Sequence, residues 1–379
     1  MVGYKGKTVL IIGGTGFVGS RLAERLVLEE GARVRALVRN WTKAVWVSRM
    51  AVELLQGDLL DRDSILKAIQ GCDVVFHCAS GLSPDGSYMK TDIDGIHNVL
   101  DACSKHGIKR LVYLSSVAVH GPNPPQGADE TSPFVILGRD YSDSKVSTEQ
   151  FLMEYYREKQ MPIVILRPTF IWGPRGHNFT RRPLLDMKNG TFFFIDNGAG
   201  SCNAVYVDNL VDAMLLAGIR DEAVGEAFLI TDGLKITWAD FFQYYAELLG
   251  IKYFNSISSK SYFSRFACRQ VDALRDLLER LKGNPAPLWR KVIRRSAREL
   301  LTVLEKRYCS YWDLEKFARK GEFNISKARK VLGYTPRYDL QDGMRETLAW
   351  VQDQMGAELE VDESIELDSN RDKQKYASS

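Results

Sequence analysis

Tyr141 and Lys145 stand four residues apart in the polar pentapeptide YSDSK. On a helix that spacing stacks a phenol and an ammonium on one face, a single turn apart. A free phenol titrates near pH 10, too high for proton exchange at neutral pH, and a fixed positive charge beside it favours the phenolate. The pair is therefore either an acid and base in waiting or an ordinary solvated pair on a helix surface. What the rest of the chain places around it decides.

A second group of residues lies near the start of the chain. GGTGFVG supplies Gly13, Gly16 and Gly19 directly after an apolar run and at the opening of a helical pattern. Glycines at this spacing permit a tight turn, close approach of backbone N–H groups to a pyrophosphate, and close packing of helix on sheet. The helix N-terminus then offers unpaired N–H groups and a positive dipole end to the phosphates. A strand–helix turn without ligand is the plain alternative, but strand, motif and helix in this order point to dinucleotide binding. Thr15, Phe17 and Val18 share the turn and join the glycines as expected cofactor contacts. The next strand ends in ALVRN, where Val38 takes the place of the acid usual in NAD sites and Arg39 follows. A guanidinium there suits a 2′-phosphate, so the reading prefers NADP and leaves NAD open; Arg33 and Arg35 add nearby charge. Asp58, with Leu59 in QGDLLD, is expected at the adenine edge, or else serves as a turn residue or helix cap.

These groups need a frame. Apolar runs at 7–13, 33–39, 52–57, 73–79, 109–116 and 161–168 alternate with helical patterns at 17–30, 62–70, 88–106 and 141–159. Strands separated by such helices imply a parallel sheet covered on both faces, and right-handed crossovers make it doubly wound. The expected fold is an α/β, Rossmann-type sheet with a smaller C-terminal substrate-binding lobe. Residues 1–170 form the dinucleotide-binding domain, whose sheet is open to later strands. Residues 171–355 form the lobe, with a basic helical insertion at 256–320, and 356–379 read as a polar disordered tail. Ala79 and Ser80 end a strand at the carboxyl edge of the sheet, where ligands sit in such folds. Pro168 and Thr169 end another and offer backbone contacts to a carboxamide.

Bulk properties narrow the class. The chain has 379 residues, 45% hydrophobic and 26% charged, with a net charge of +3, too small to argue for nucleic acid. Cys72, Cys78, Cys103, Cys202, Cys268 and Cys309 form no C-x-x-C pair or Cys/His cluster. They read as reduced buried thiols, with no metal site. The N-terminus lacks the pattern of a signal peptide, and no apolar run approaches the roughly 20 residues of a bilayer span. The expectation is a cytoplasmic protein.

GGTGFVGS, GDLLD, HCAS, KRLVYLSSVAVHG, YSDSK, LRPTFIWGP and VYVDNLVDA occur in the order seen in the extended short-chain dehydrogenase/reductase family, which the chain resembles over 7–255 and 322–352. The resemblance implies hydride transfer to or from a nicotinamide. It places the family's Y-x-x-x-K motif on Tyr141 and Lys145 and its active-site hydroxyl on Ser116, with Ser115 the weaker candidate. Tyr141 is then the acid/base, Lys145 also holds the nicotinamide ribose, and Ser116 hydrogen-bonds the reacting oxygen. His77, in an apolar strand, reads as a satisfied core histidine. Asp92 stands where many relatives have asparagine, Asn98 as a brace for neighbouring backbone, and Trp172 and His177 as nonspecific cleft residues. The resemblance also implies a homodimer built through helices flanking the sheet.

Sugar-nucleotide members carry an arginine shortly before VYVD for the substrate diphosphate; here Cys202 and Asn203 take its place, with Arg175, Arg181 and Arg182 in the adjoining loop. That departure favours a secondary alcohol and ketone of the hydroxysteroid or dihydroflavonol reductase kind over a nucleotide-sugar epimerase or dehydratase with tightly bound NAD. A non-catalytic dinucleotide sensor would not need Ser116, Tyr141 and Lys145 together. Residues 289–308 present an apolar stripe beside Arg290, Lys291, Arg294, Arg295 and Arg298. Such a helix either lies peripherally on an anionic membrane or packs on its own core with a solvated basic face.

Overall fold

β1 (Thr8–Ile12) is buried along its whole length. Val9 and Ile11 join one apolar cluster, Leu10 and Ile12 another, because successive side chains point to opposite faces. Both clusters are closed by helices, so the strand reads as a continuous apolar run rather than an alternating one. The computed structural model describes residues 3–81, 88–138, 140–281 and 288–359.

From β1 the chain runs through α1 (Phe17–Leu28), β2 (Arg33–Val38), β3 (Val52–Gln56), α2 (Arg62–Ile69), β4 (Val74–His77), α3 (Tyr88–His106), β5 (Arg110–Leu114), α4 (Asp140–Lys159) and β6 (Ile163–Pro168). The lobe and its returns follow as β7 (Phe170–Trp172), α5 (Arg182–Lys188), β8 (Phe193–Ile195), β9 (Ala204–Tyr206), α6 (Val207–Ala217) and β10 (Ala227–Ile230). Next are α7 (Trp238–Leu248), β11 (Asn255–Ile257), α8 (Tyr262–Arg280), α9 (Leu288–Glu305), α10 (Tyr311–Ala318) and α11 (Leu340–Leu359).

Seven of these strands form one parallel sheet in the order β3-β2-β1-β4-β5-β6-β10. The chain reverses its direction of travel between β1 and β4, which opens a crevice at the carboxyl ends of these strands, the usual ligand position in doubly wound sheets. α1 and α6 cover one face through Leu22, Leu26, Leu210 and Met214; α2, α3 and α4 cover the other through Ile65, Val99 and Leu152. β10 comes from beyond residue 170 yet pairs with β6, Ile230 opposite Pro168.

The lobe has a core of its own, rich in aromatic rings: Trp238, Phe241, Phe242 and Tyr245. Trp172, expected at the cleft, belongs to this core instead, fully buried with Tyr206 and Phe241 rings 4.9 and 5.2 Å away. α11 continues three residues past Gly356, where a tail was expected; residues 360–379 of that tail lie outside the described residues. Among the described residues no helix is long and apolar enough to cross a membrane.

Candidate active site

The glycine turn has no room for side chains where it matters. Gly13 has φ +88°, and a Cβ there would lie 2.7 Å from the Ala79 backbone nitrogen. A Cβ at Gly19 would collide with the Gly13 carbonyl. α1 begins at Gly16 without a side-chain cap and without an acidic residue in its first turn. Its first N–H groups and positive dipole end are therefore free for an anion, and a pyrophosphate fits. Thr15 is half-buried, Val18 is buried, and Phe17 reaches the cleft described below.

At the adenine end, Arg39 follows buried Val38 and its Nε lies 3.8 Å from the Asp58 carboxylate. Two residues expected to touch the cofactor separately thus touch each other. Asp58 closes a turn by accepting the Leu60 N–H at 2.9 Å, while the cap of α2 is Asp61, not Asp58. Leu59 is buried, and its carbonyl accepts a hydrogen bond from Asn98 at 2.8 Å, so Asn98 braces backbone. Arg33 and Arg35 do not reinforce Arg39: Arg33 donates to Gly6 O, and Arg35 to Glu53 and Gln70 O.

Tyr141 and Lys145 share one face of α4, the ammonium 6.0 Å from the centre of the phenol ring. Tyr141 is 38% exposed and packs edge-on against Tyr88 at 5.4 Å. Lys145 is 1% exposed; it donates to Tyr113 Oη at 2.9 Å and lies 3.4 Å from Asp92. Burial works against its charge, and Tyr113, Asp92 and Tyr141 outweigh burial, leaving its pKa above the ordinary value. Lys145 thus stands behind Tyr141 rather than on the cleft wall. Ser116 begins the short turn Val117–His120, where its Oγ accepts the Ala118 N–H at 3.2 Å and keeps its own hydrogen to donate. Ser115 is turned inward to the Glu149 carboxylate.

Ser116 and Tyr141 line one cleft of about 1580 Å³ between sheet and lobe. Pro168 and Thr169 border it, but the Thr169 N–H and hydroxyl both go to the Ile230 carbonyl, at 3.1 and 3.3 Å. The expected backbone contact from Thr169 therefore has no N–H left to make it. Phe179, Phe192, Phe194 and Phe242 also line it, with His177 and Arg182 among the polar lining. Half-buried Ala79 sits beside the glycine turn, Ser80 after it is exposed, and neither lines this cleft.

Residues 9–230 match the model of the NAD dependent epimerase/dehydratase family. The chain belongs to that family. It is an enzyme, an NAD(P)-dependent oxidoreductase of the extended short-chain dehydrogenase/reductase type. It is 29% identical to a 3 beta-hydroxysteroid dehydrogenase/Delta 5-->4-isomerase of Mycobacterium tuberculosis, over 90% of each chain. It is also 29% identical to a 2-alkyl-3-oxoalkanoate reductase of Stenotrophomonas maltophilia, over 89% of this chain and 97% of that one. In fold it resembles an epimerase from Methanothermobacter thermautotrophicus (TM-score 0.71, 22% identity, 93% and 94% of the two chains covered).

Against that family, the loop before β9 departs as its sequence indicates. Cys202 is buried, and Asn203 bridges to Gly321 O and the Phe323 N–H at 3.0 and 3.1 Å. Of the loop arginines, Arg175 turns away to Ser20 Oγ and the Trp46 ring, and Arg182 alone of the three borders the cleft. Sequence reasoning missed another guanidinium: Arg319, buried at the cleft, donates to Gly321 O and lies 4.1 Å from the Phe323 ring. Burial alone lowers its pKa to about 10, with no carboxylate beside it among the described residues to raise it.

Also missed was the support under Ser115. Arg167, in β6, forks onto Glu149 of α4 at 2.6 to 3.1 Å, and reaches His120 at 3.2 Å and Glu130 O at 3.1 Å. Arginine inside the apolar run VILRP was the available signal, since a buried guanidinium requires a partner. His77 corrects another expectation. It is buried, 5.3 Å from the Tyr113 ring, but neither ring nitrogen has a hydrogen-bond partner among the described residues. Burial, then the charge of Lys145, pushes its pKa down to about 3, so it is neutral.

Proposed function

We propose that the chain interconverts a secondary alcohol and a ketone on a bulky, largely apolar molecule, with Tyr141 as acid/base, Ser116 as donor to the reacting oxygen, and Lys145 as the fixed charge behind the phenol. The observation that carries this is that Ser116 and Tyr141 border one cleft together with the rings of Phe170, Phe179, Phe192, Phe194 and Phe242. When bound, a nicotinamide dinucleotide supplies or accepts the hydride. Gly13, Gly16 and Gly19 would hold its phosphates, and Arg39 favours NADP. Ser116 donates to the substrate oxygen as negative charge grows there. Tyr141 passes a proton to or from that oxygen, and the buried ammonium of Lys145 stabilises the phenolate left behind.

Replacing Tyr141 with Phe should lower turnover by about a hundredfold or more while cofactor affinity stays within about threefold. Full activity of that variant would refute the assignment.

Arg319 favours a second reading, a substrate with an anionic group such as a nucleotide sugar. A buried guanidinium without a carboxylate is a ready partner for a phosphate or carboxylate. Dinucleotide co-purifying with the protein, and thermal stabilisation by UDP-sugars but not by apolar ketones, would favour it.

A further inference from the structure

Arg319 follows α10 directly, and its side chain is 7% exposed on the border of the substrate cleft. It is held in one orientation. Nε and Nη2 both donate to Gly321 O, at 3.0 and 2.7 Å, and Cζ lies 4.1 Å from the centre of the Phe323 ring. The backbone around it is tied down as well: Asn203 Nδ2 donates to the same Gly321 carbonyl at 3.0 Å, and the Ser201 N–H to the Arg319 carbonyl at 2.7 Å. These bonds use the Nε–Nη2 edge of the planar group. The other edge, made by Nη1 and the second hydrogen of Nη2, has no partner among the described residues, and Nη1 is not sealed from solvent. Two parallel N–H groups at the end of a guanidinium match the two oxygens of a carboxylate.

Charge narrows the anion. Three other cations on the cleft are already matched by carboxylates that also border it: Arg182 with Asp186 at 3.6 Å, Arg275 with Glu305 at 2.7 Å, and Lys316 with Asp313 at 2.6 Å. Arg319 has burial acting on its charge and no carboxylate offsetting it. A buried cation without a partner is costly, so a cleft that keeps one is suited to an anion that arrives with the ligand. One unmatched charge fits one monoanionic group. A nucleotide diphosphate brings more charge than that, and no second guanidinium is on offer, since Arg175 is turned to Ser20 Oγ and Arg182 faces Asp186. The phenylalanines of the cleft suit the apolar remainder of the molecule.

We infer that Arg319 binds a carboxylate on the molecule that fills this cleft, which makes the substrate an oxo or hydroxy acid with an apolar body. Resting on the alcohol–ketone reaction proposed above, this narrows the anionic group to a carboxylate and separates it from the phosphates of a nucleotide sugar.

The test is isothermal titration of the protein loaded with oxidised dinucleotide, which cannot reduce a ketone, so that binding is read apart from turnover. The probes are oxo-fatty acids with the ketone at successive chain positions, each beside its methyl ester. The best-bound acid should bind about tenfold or more tighter than its ester, because the ester keeps the shape and loses the charge. Arg319→Met should bring acid and ester to the same affinity, and Arg319→Lys should keep part of the preference. Removing an unpaired buried charge should leave the melting temperature at or above that of the wild type, so loss of preference in the Met variant is not loss of fold. With reduced dinucleotide the acid should be preferred in KM, with kcat for acid and ester within about threefold. Equal binding of acid and ester by the wild type would overturn the inference. So would a preference that survives Arg319→Met, or UDP-sugars binding tighter than every oxo acid. Arg319-dependent binding of acids, none of which is ever reduced, would uphold the carboxylate site and remove the alcohol–ketone reaction instead.

Discussion

The Lys145 ammonium lies 3.4 Å from the Asp92 carboxylate, with both side chains 1% exposed. Ser144 Oγ donates to the same Asp92 oxygen at 2.9 Å, while the other oxygen, Oδ1, has no hydrogen-bond partner among the described residues. A buried carboxylate this close offsets part of the field that Lys145 projects toward Tyr141.

Asp92→Asn should therefore move the acid limb of the pH–rate profile for alcohol oxidation down by about one unit, because the phenolate form gains from an unopposed ammonium. Steady-state profiles of both proteins measure this. An unchanged limb would show that Asp92 only holds Lys145 in place.

Arg167 and Glu149 form a buried ion pair that also holds Ser115. Removing one partner leaves the other charge buried and alone. Glu149→Ala should cost about 3–5 kcal/mol of stability, read from denaturant midpoints. A loss under about 1 kcal/mol would mean that water reaches Arg167.

Arg39 tests the choice of dinucleotide. Arg39→Ala should raise the dissociation constant for NADP by about tenfold or more and leave that for NAD within about twofold. Equal losses for both would assign Arg39 to Asp58 alone.

Two buried groups give opposed pH dependences. Burial raises Asp232 to about 7 from 3.8, against hydrogen bonds from Asn209 and the Tyr206 N–H. The folded state then holds a proton that the unfolded chain has lost, so this contribution is whole below pH 3.8 and fades as pH rises to about 7. His77 is held down to about 3 from 6.5, so its contribution is whole above 6.5 and fades as pH falls. Between these limits the slopes cancel in the wild type. Asp232→Asn should steepen the rise of stability with pH by about 1.4 kcal/mol per unit, and His77→Leu should reduce it by as much. Denaturation at pH 4.5, 5.5 and 6.5 (roughly the middle of the window) distinguishes these outcomes from unaltered slopes.

The sheet and the turn at Gly13 were legible because their signals are local: apolar runs, glycine spacing, and the four-residue step from Tyr141 to Lys145. Bounds shifted by a residue or two, as fraying ends do. Long-range pairings were not legible. Arg167 advertises a buried partner without saying that it is Glu149, and Arg39 gives no hint of Asp58. The sheet was left open to later strands, but which one joins it was not legible, because the four apolar residues of β10 carry no address until β6 pairs with them. Trp172 looked like a cleft residue because it flanks the substrate loop, whereas its ring had a larger apolar surface to hide. The sequence showed the apolar side of α9 without telling whether anything in the chain would cover it.

The contact between Gly13 and the Ala79 backbone ties the floor of the phosphate cradle to the tip of the adjacent strand with no side chain interposed. The span between the two ends of a dinucleotide is thus gauged against a rigid abutment inside the sheet. Substrate preference can be rewritten in the aromatic lobe without recalibrating where hydrogen crosses, and one methyl group at position 13 would throw off both ends at once.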